Sequence, residues 1–111
     1  MMVLISQPMA GKTQQEIIKT RERAIRTLRE SGYEIIDSLL PSRLQNGFMK
    51  RSSKVINVPL YYLAESLELM SCCDTAYFCE GWEQARGCCV EHEAAREYGL
   101  KIIYEVTEGE Q

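Results

Sequence analysis

Gly87, Glu91 and Ala95 recur every four residues, so on a helix they share one face. A carboxylate between two small residues, near a helix start, is open to a ligand. The helix macrodipole there favours its ionised form. An ionised glutamate aimed into a cleft suits nucleophilic attack on a sugar carbon. The same spacing also fits a surface glutamate that caps or pairs with a neighbour. Around it lie Gly81, Trp82 and Glu83, where the indole offers a stacking face for a base or ordinary packing. A second group is Ser6-Gln7-Pro8-Met9-Ala10-Gly11, followed by Lys12-Thr13. Gly11-Lys12-Thr13 matches the end of a phosphate-binding loop, but Ser6 stands where that pattern requires its first glycine. The segment therefore reads as a turn and a helix cap, although a helix N-terminus still presents N–H groups suited to an anion.

The five cysteines, Cys72, Cys73, Cys79, Cys88 and Cys89, form two adjacent pairs and leave one over. That count does not suggest a disulfide framework. Cys88, Cys89 and His92 are conceivable metal ligands, but buried reduced thiols suit the pattern better.

These groups need elements to hold them. Met2 to Ser6 reads as a buried strand. Thr13 and Glu16 form a capping box, opening a helix that Gly32 closes near Ser31. Tyr33 to Ile36 is a second strand, ending at Asp37. Leu39 to Val58 has no clear period and reads mainly as a long loop, a length that usually signals function or mobility. Asn57 and Pro59 open a second helix, with Leu60, Leu63, Ala64, Leu67 and Met70 as its apolar face. Thr75 to Cys79 is a third strand, Ala85 to Tyr98 a third helix closed by Gly99, and Lys101 to Val106 a fourth strand.

Alternating strands and helices predict an α/β fold: a flavodoxin-like or Rossmann-like three-layer sandwich with a parallel sheet of four or five strands. Ligands in such sheets bind beyond the strand C-termini. There the order collects Ser6 to Gly11, Asp37 onward and Glu80 to Gly87. Residues 1–106 make one domain and 107–111 a polar tail.

The chain has 111 residues, 45% hydrophobic and 26% charged, which is ordinary globular composition. No apolar run approaches a membrane span, and Met1 to Ile5 is too short for a signal peptide, so we expect a cytoplasmic protein with no membrane partner. With 13 basic against 16 acidic residues there is no surplus for duplex nucleic acid. The basic residues Arg43, Lys50, Arg51 and Lys54 nevertheless share a stretch without acids. It is either a solvated loop or one that helps hold an anionic ligand.

Taken together, Leu4-Ile5-Ser6-Gln7-Pro8-Met9-Ala10-Gly11, Asp74 before the third strand, and G-x-x-x-E-x-x-x-A from Gly87 to Ala95 resemble the nucleoside 2-deoxyribosyltransferase superfamily, over roughly Met2 to Glu105. The likeness is to its small bacterial and phage members. It implies a flavodoxin-like fold, a nucleoside or nucleotide substrate, and Glu91 as the nucleophile that cleaves the N-glycosidic bond. It implies no metal or organic cofactor. Ser6, Gln7, Pro8, Met9, Gly11, Asp37, Gly81, Trp82, Glu83 and Gly87 become the substrate-binding set. It also implies a homo-oligomer, a dimer or larger, for which the helix carrying Tyr61, Tyr62, Leu63 and Met70 is the candidate interface. Three positions depart from the superfamily pattern. Ala85 and Ser66 stand where active transferases carry acids, and Val3, Leu4 and Ile5 offer no tyrosine. Glu83, Glu65 and Glu68 are the acids left to protonate the leaving base. The same residues admit two other readings: a non-catalytic nucleotide-binding or regulatory module, and an interaction protein with a vestigial cleft.

Overall fold

The structure is a computed structural model that describes residues 1–36 and 55–106. Asp37, the basic residues Arg43 to Lys54, most of the Leu39–Val58 stretch and the 107–111 tail lie outside the described residues. The elements run β1 (Met2–Ser6), α1 (Gln14–Glu30), β2 (Glu34–Ile36), α2 (Val58–Met70), β3 (Thr75–Phe78), a 3-10 turn (Trp82–Gln84), α3 (Arg86–Glu97) and β4 (Lys101–Tyr104).

Local chemistry explains the boundaries. Thr13 caps α1: its hydroxyl accepts from Glu16 N at 3.1 Å, and the Glu16 carboxylate accepts from Thr13 N at 2.9 Å. Two of the orphan N–H groups of the helix start are satisfied in this way. Thr13→Ala is expected to cost roughly 1 kcal/mol, measured as a lower urea midpoint with an unchanged slope. The helix closes with a Schellman pair, Gly32 N to Arg29 O at 3.0 Å and Tyr33 N to Leu28 O at 3.0 Å. Gly32 takes a φ of 88° there, a conformation that glycine adopts without a Cβ penalty. Asn57 Oδ1 accepts from Leu60 N at 3.0 Å and caps α2, with Pro59 in its first turn.

The four described strands form one parallel sheet in the order β2-β1-β3-β4. β1 sits inside, with Leu4 opposite Ile36 on one side and Ala76 on the other. Alternate residues face opposite layers. Val3, Ile5, Tyr77 and Cys79 pack with Ala24 and Leu28 of α1. Leu4, Ala76 and Phe78 pack with Leu69 and Met70 of α2 and Ala95 of α3. Helices on both faces explain why β1 and β3 are apolar at nearly every position. The fold is the expected three-layer, flavodoxin-like α/β sandwich, with four strands among the described residues. No described helix is long and apolar enough to cross a membrane.

The apolar face expected for α2 needs correction. Tyr61, Leu69 and Met70 are its buried residues, Leu67 is partly buried, and Leu60 and Ala64 are exposed. The helix is apolar around most of its circumference, so spacing alone does not select a face. Tyr61 and Met70, assigned from sequence to an interface, belong to the core. Val58, Leu60 and Tyr62 remain exposed.

Candidate functional site

The strand order places the site. From β1 the chain goes to β2 on one side and crosses to β3 on the other, so the C-terminal ends of β1 and β3 flank the switch point where such sheets bind ligands. Ser6 ends β1 there. The loops after β1 and β3 meet at that edge: a Cβ on Gly81 would stand 3.6 Å from Pro8 Cγ. Gly81 has a φ of 87°, which lets the chain turn sharply out of β3 into the 3-10 turn. The turn is pinned from below by Glu105, whose carboxylate accepts from Glu80 N at 2.8 Å and from Arg23 Nε at 2.7 Å.

Glu91 lies on the second turn of α3 and faces inward. It is 8% exposed, and Ser6, 2% exposed, donates to its Oε1 at 2.5 Å across 85 residues of sequence. Ser66 of α2 also acts on this carboxylate, lowering its pKa as Ser6 does. Three separate elements therefore converge on one group. The helix-start field was expected to favour the ionised form. Burial wins instead: desolvation pushes the Glu91 carboxyl above the usual carboxylate range, while the Ser6 and Ser66 hydrogen bonds pull it back.

The bracketing glycine and alanine differ in kind. A Cβ on Gly87 would meet nothing within 4 Å, so space lies open one turn before Glu91. Ala95, one turn after it, is fully buried in the α2–α3 core and leaves no room. The open side of this helix face is therefore the start of α3.

The other expected binding residues divide. Pro8 is buried beside the Gly81 turn, while Met9 and Gly11 are exposed on the β1–α1 loop. Gln7 is buried, its Nε2 donating to Ile17 O at 3.0 Å, and its Oε1 is buried without a partner. That tie holds the loop to α1. Trp82 stacks on His92, with centroids 4.1 Å apart and planes 21° apart, and tilts against Phe78 at 5.4 Å. One face of the indole is thus occupied by packing. Glu83 is exposed on the 3-10 turn. Asp37 lies outside the described residues.

Sequence reasoning missed Ser66 as a partner of Glu91, and it missed Cys88. That thiol is buried one turn before Glu91 on α3 and is pushed up to about 11, chiefly by burial. Nothing in the local pattern marks Ser66, because helix packing brings it in, whereas the three-residue spacing of Cys88 and Glu91 on one helix is a signal available in the sequence. The conceived Cys88–Cys89–His92 metal set does not converge. Cys88 is buried, Cys89 is exposed and donates to Glu83 O at 3.3 Å, and His92 Nε2 lies 2.6 Å from Tyr104 Oη. Among the described residues no group of three or more His, Cys, Asp or Glu is placed to hold a metal ion.

Residues 1–104 match the family described as "Domain of unknown function (DUF4406)". The chain belongs to the DUF4406 family. No curated protein and no solved structure gives a match. In this DUF4406 chain the matched span runs from the first strand to the end of β4, so it contains every residue of the candidate site described above.

Proposed function

We propose that this chain cleaves or transfers the N-glycosidic bond of a nucleoside or nucleotide, with Glu91 as nucleophile. The observation that carries the reading is the inward-facing Glu91 carboxylate, held by Ser6 at the β1–β3 switch point with open space at Gly87 beside it. The likeness of the Ser6–Gly11 loop, Asp74 and the Gly87–Ala95 spacing to nucleoside 2-deoxyribosyltransferases supports it.

In the first step a carboxylate oxygen of Glu91 bonds to the anomeric carbon. The carbon–nitrogen bond breaks, and its electron pair leaves with the base, which takes up one proton. The product is a glycosyl ester on Glu91. In the second step water or another base attacks the same carbon, loses a proton, and frees the carboxylate. Retention follows from two displacements. A water acceptor makes a hydrolase and a base acceptor a transferase. Neither step needs a metal or an organic cofactor. The exposed apolar residues Val58, Leu60 and Tyr62 of α2 support a homo-oligomer, expected as a dimer or larger by light scattering.

The test is base release from deoxynucleosides and their 5′-monophosphates, followed by HPLC with and without an acceptor base. Release by wild type and not by Glu91→Gln supports the reading. Equal rates, or no release from any substrate, overturn it.

A non-catalytic nucleotide-binding module is favoured by one set of observations. Ser66 and Ala85 supply no acid, Glu65 accepts from Tyr61 Oη at 3.5 Å, and Glu68 and Glu83 are exposed. Nucleotide binding that survives Glu91→Gln, without turnover in wild type, is its signature.

A further inference from the structure

β4 is the outermost strand of the described sheet, and β3 is its one described neighbour. Lys101 N donates to Asp74 O at 3.0 Å and Glu105 N to Phe78 O at 2.8 Å. The odd-numbered residues of β4 therefore turn their backbone groups toward β3. Ile102 and Tyr104 turn theirs outward, where no described residue pairs with them. An edge of this kind is a template for another strand, and proteins usually blunt it with a charge, a proline or a bulge. From Ile102 to Tyr104 the strand carries neither a charge nor a proline. Its side chains are half-covered as well. Ile103 packs on the α1 cluster and Ile102 on the α2–α3 cluster, both only partly buried. Tyr104 is 48% exposed and Val106 87%.

We propose that the β4 edge docks a second copy of this chain, antiparallel and across a two-fold axis centred on Ile103, so that the two sheets join into one. The register follows from the outward groups. Antiparallel strands exchange hydrogen bonds between residues whose N–H and C=O face the partner, so even-numbered residues stand opposite even-numbered ones. Centring on Ile103 sets Ile102 opposite Tyr104 on each side of the axis, and Val106 opposite Leu100. It also sets Lys101 opposite Glu105 at both ends, so the charge pattern complements itself. An axis at Ile102 or at Tyr104 instead places Ile103 opposite Lys101 or Glu105, and the charge match is lost. One segment thus supplies both halves of every pair, which is what an isologous contact between identical chains requires. β4 is a different element from α2, whose exposed residues support an oligomer separately. The inference does not depend on the chemistry proposed for Glu91.

The test begins with cross-linking. In this register the two Ile103 Cα atoms lie about 4.5 Å apart, a distance that a disulfide spans. Ile103→Cys, in a chain whose exposed thiols are removed by Cys72→Ser and Cys89→Ser, is expected to give a covalent dimer on mild oxidation with diamide. Lys101→Cys in the same background is the control. Its two copies stand about 14 Å apart along the strands and should run as monomer on a non-reducing gel. Amide exchange in the unmodified chain reads the pairing directly. The N–H groups of Ile102 and Tyr104 should slow by about tenfold or more as protein concentration rises through the dimerisation range. Ile102→Pro deletes one outward N–H and spares the ladder to β3, so light scattering should give it half the mass of wild type. Equal cross-linking through both cysteine variants, or none through either, overturns the proposal. So does exchange at Ile102 and Tyr104 that is fast at every concentration. Slow exchange at every concentration in a monomer assigns the edge to this chain's own residues 107–111 and overturns it too. Should Ile103→Cys or Ile102→Pro not fold, the exchange measurement on the unmodified chain decides.

Discussion

Glu91→Gln is expected to lower base release by at least about 10³-fold, a barrier increase of roughly 4 kcal/mol, while making the folded chain harder to unfold at neutral pH. The two effects have one cause. An amide is close to isosteric with the carboxyl and still accepts from Ser6, but it does not form the glycosyl ester. Burial raises the folded-state pKa of Glu91 above its value in the unfolded chain, near about 4.3. Between those two values the folded protein keeps a proton that the unfolded chain has released. Stability is therefore greatest below the unfolded value and declines as pH rises toward the folded one. Above that window wild type carries the penalty of a buried charge, which the amide avoids. Urea unfolding of both proteins across this range should show the variant gaining on wild type as pH rises. A variant that loses stability with rising pH, relative to wild type, would show that the hydrogen bonds outweigh burial at Glu91. The activity side has its own kinetic trace. A nucleophile that must be ionised gives an acidic limb in kcat/KM, and that limb should lie above the ordinary carboxylate range.

Phe78→Ala carries the largest expected cost in stability. Phe78 is fully buried at the end of β3, in the cluster formed with Leu4, Ala76, Leu69, Met70 and Ala95. Its ring also packs against Trp82 at 5.4 Å and His92 at 4.9 Å. Removing it deletes a ring and leaves a cavity between the sheet and α3, for an expected loss of about 3–5 kcal/mol. Small domains have only about 5–15 kcal/mol in total, so the melting temperature should fall by upwards of about 10 °C. The chain has one tryptophan, and it touches this ring, so Trp82 fluorescence reports the change directly. The loss should extend to the site. Phe78 pairs in register with Ser6, and α3 carries Glu91, so a loosened β3–α3 contact moves both partners of the 2.5 Å hydrogen bond. A melting temperature within a degree or two of wild type would mean that the cavity closes by collapse of its walls.

Much of this protein is legible in its amino-acid sequence alone. Local signals act within a few residues, and these hold. Thr13 with Glu16, Asn57 with Pro59, and Gly32 and Gly99 after their helices mark ends that the backbone hydrogen bonds reproduce. Alternation of element types implies a parallel sheet with helices on both faces, because parallel strands need crossovers and crossovers cover the sheet. The four-residue spacing of Gly87, Glu91 and Ala95 puts them on one face of α3, since helix periodicity is a local property.

What the sequence does not decide is which side of each helix meets what. α2 is apolar around most of its surface, and only packing chooses Tyr61, Leu69 and Met70 over Leu60 and Ala64. Gly87 and Ala95 look alike as small residues, yet one borders open space and the other fills the core. The charge state preferred by Glu91 reverses for the same reason. A helix-end field is read from position along the chain, whereas desolvation depends on what three separate elements exclude from around the carboxyl. Ser6 and Ser66 come from β1 and α2, and no spacing rule relates them to Glu91 of α3. Their meeting at Glu91 is a product of strand order and helix packing, which tertiary structure alone sets.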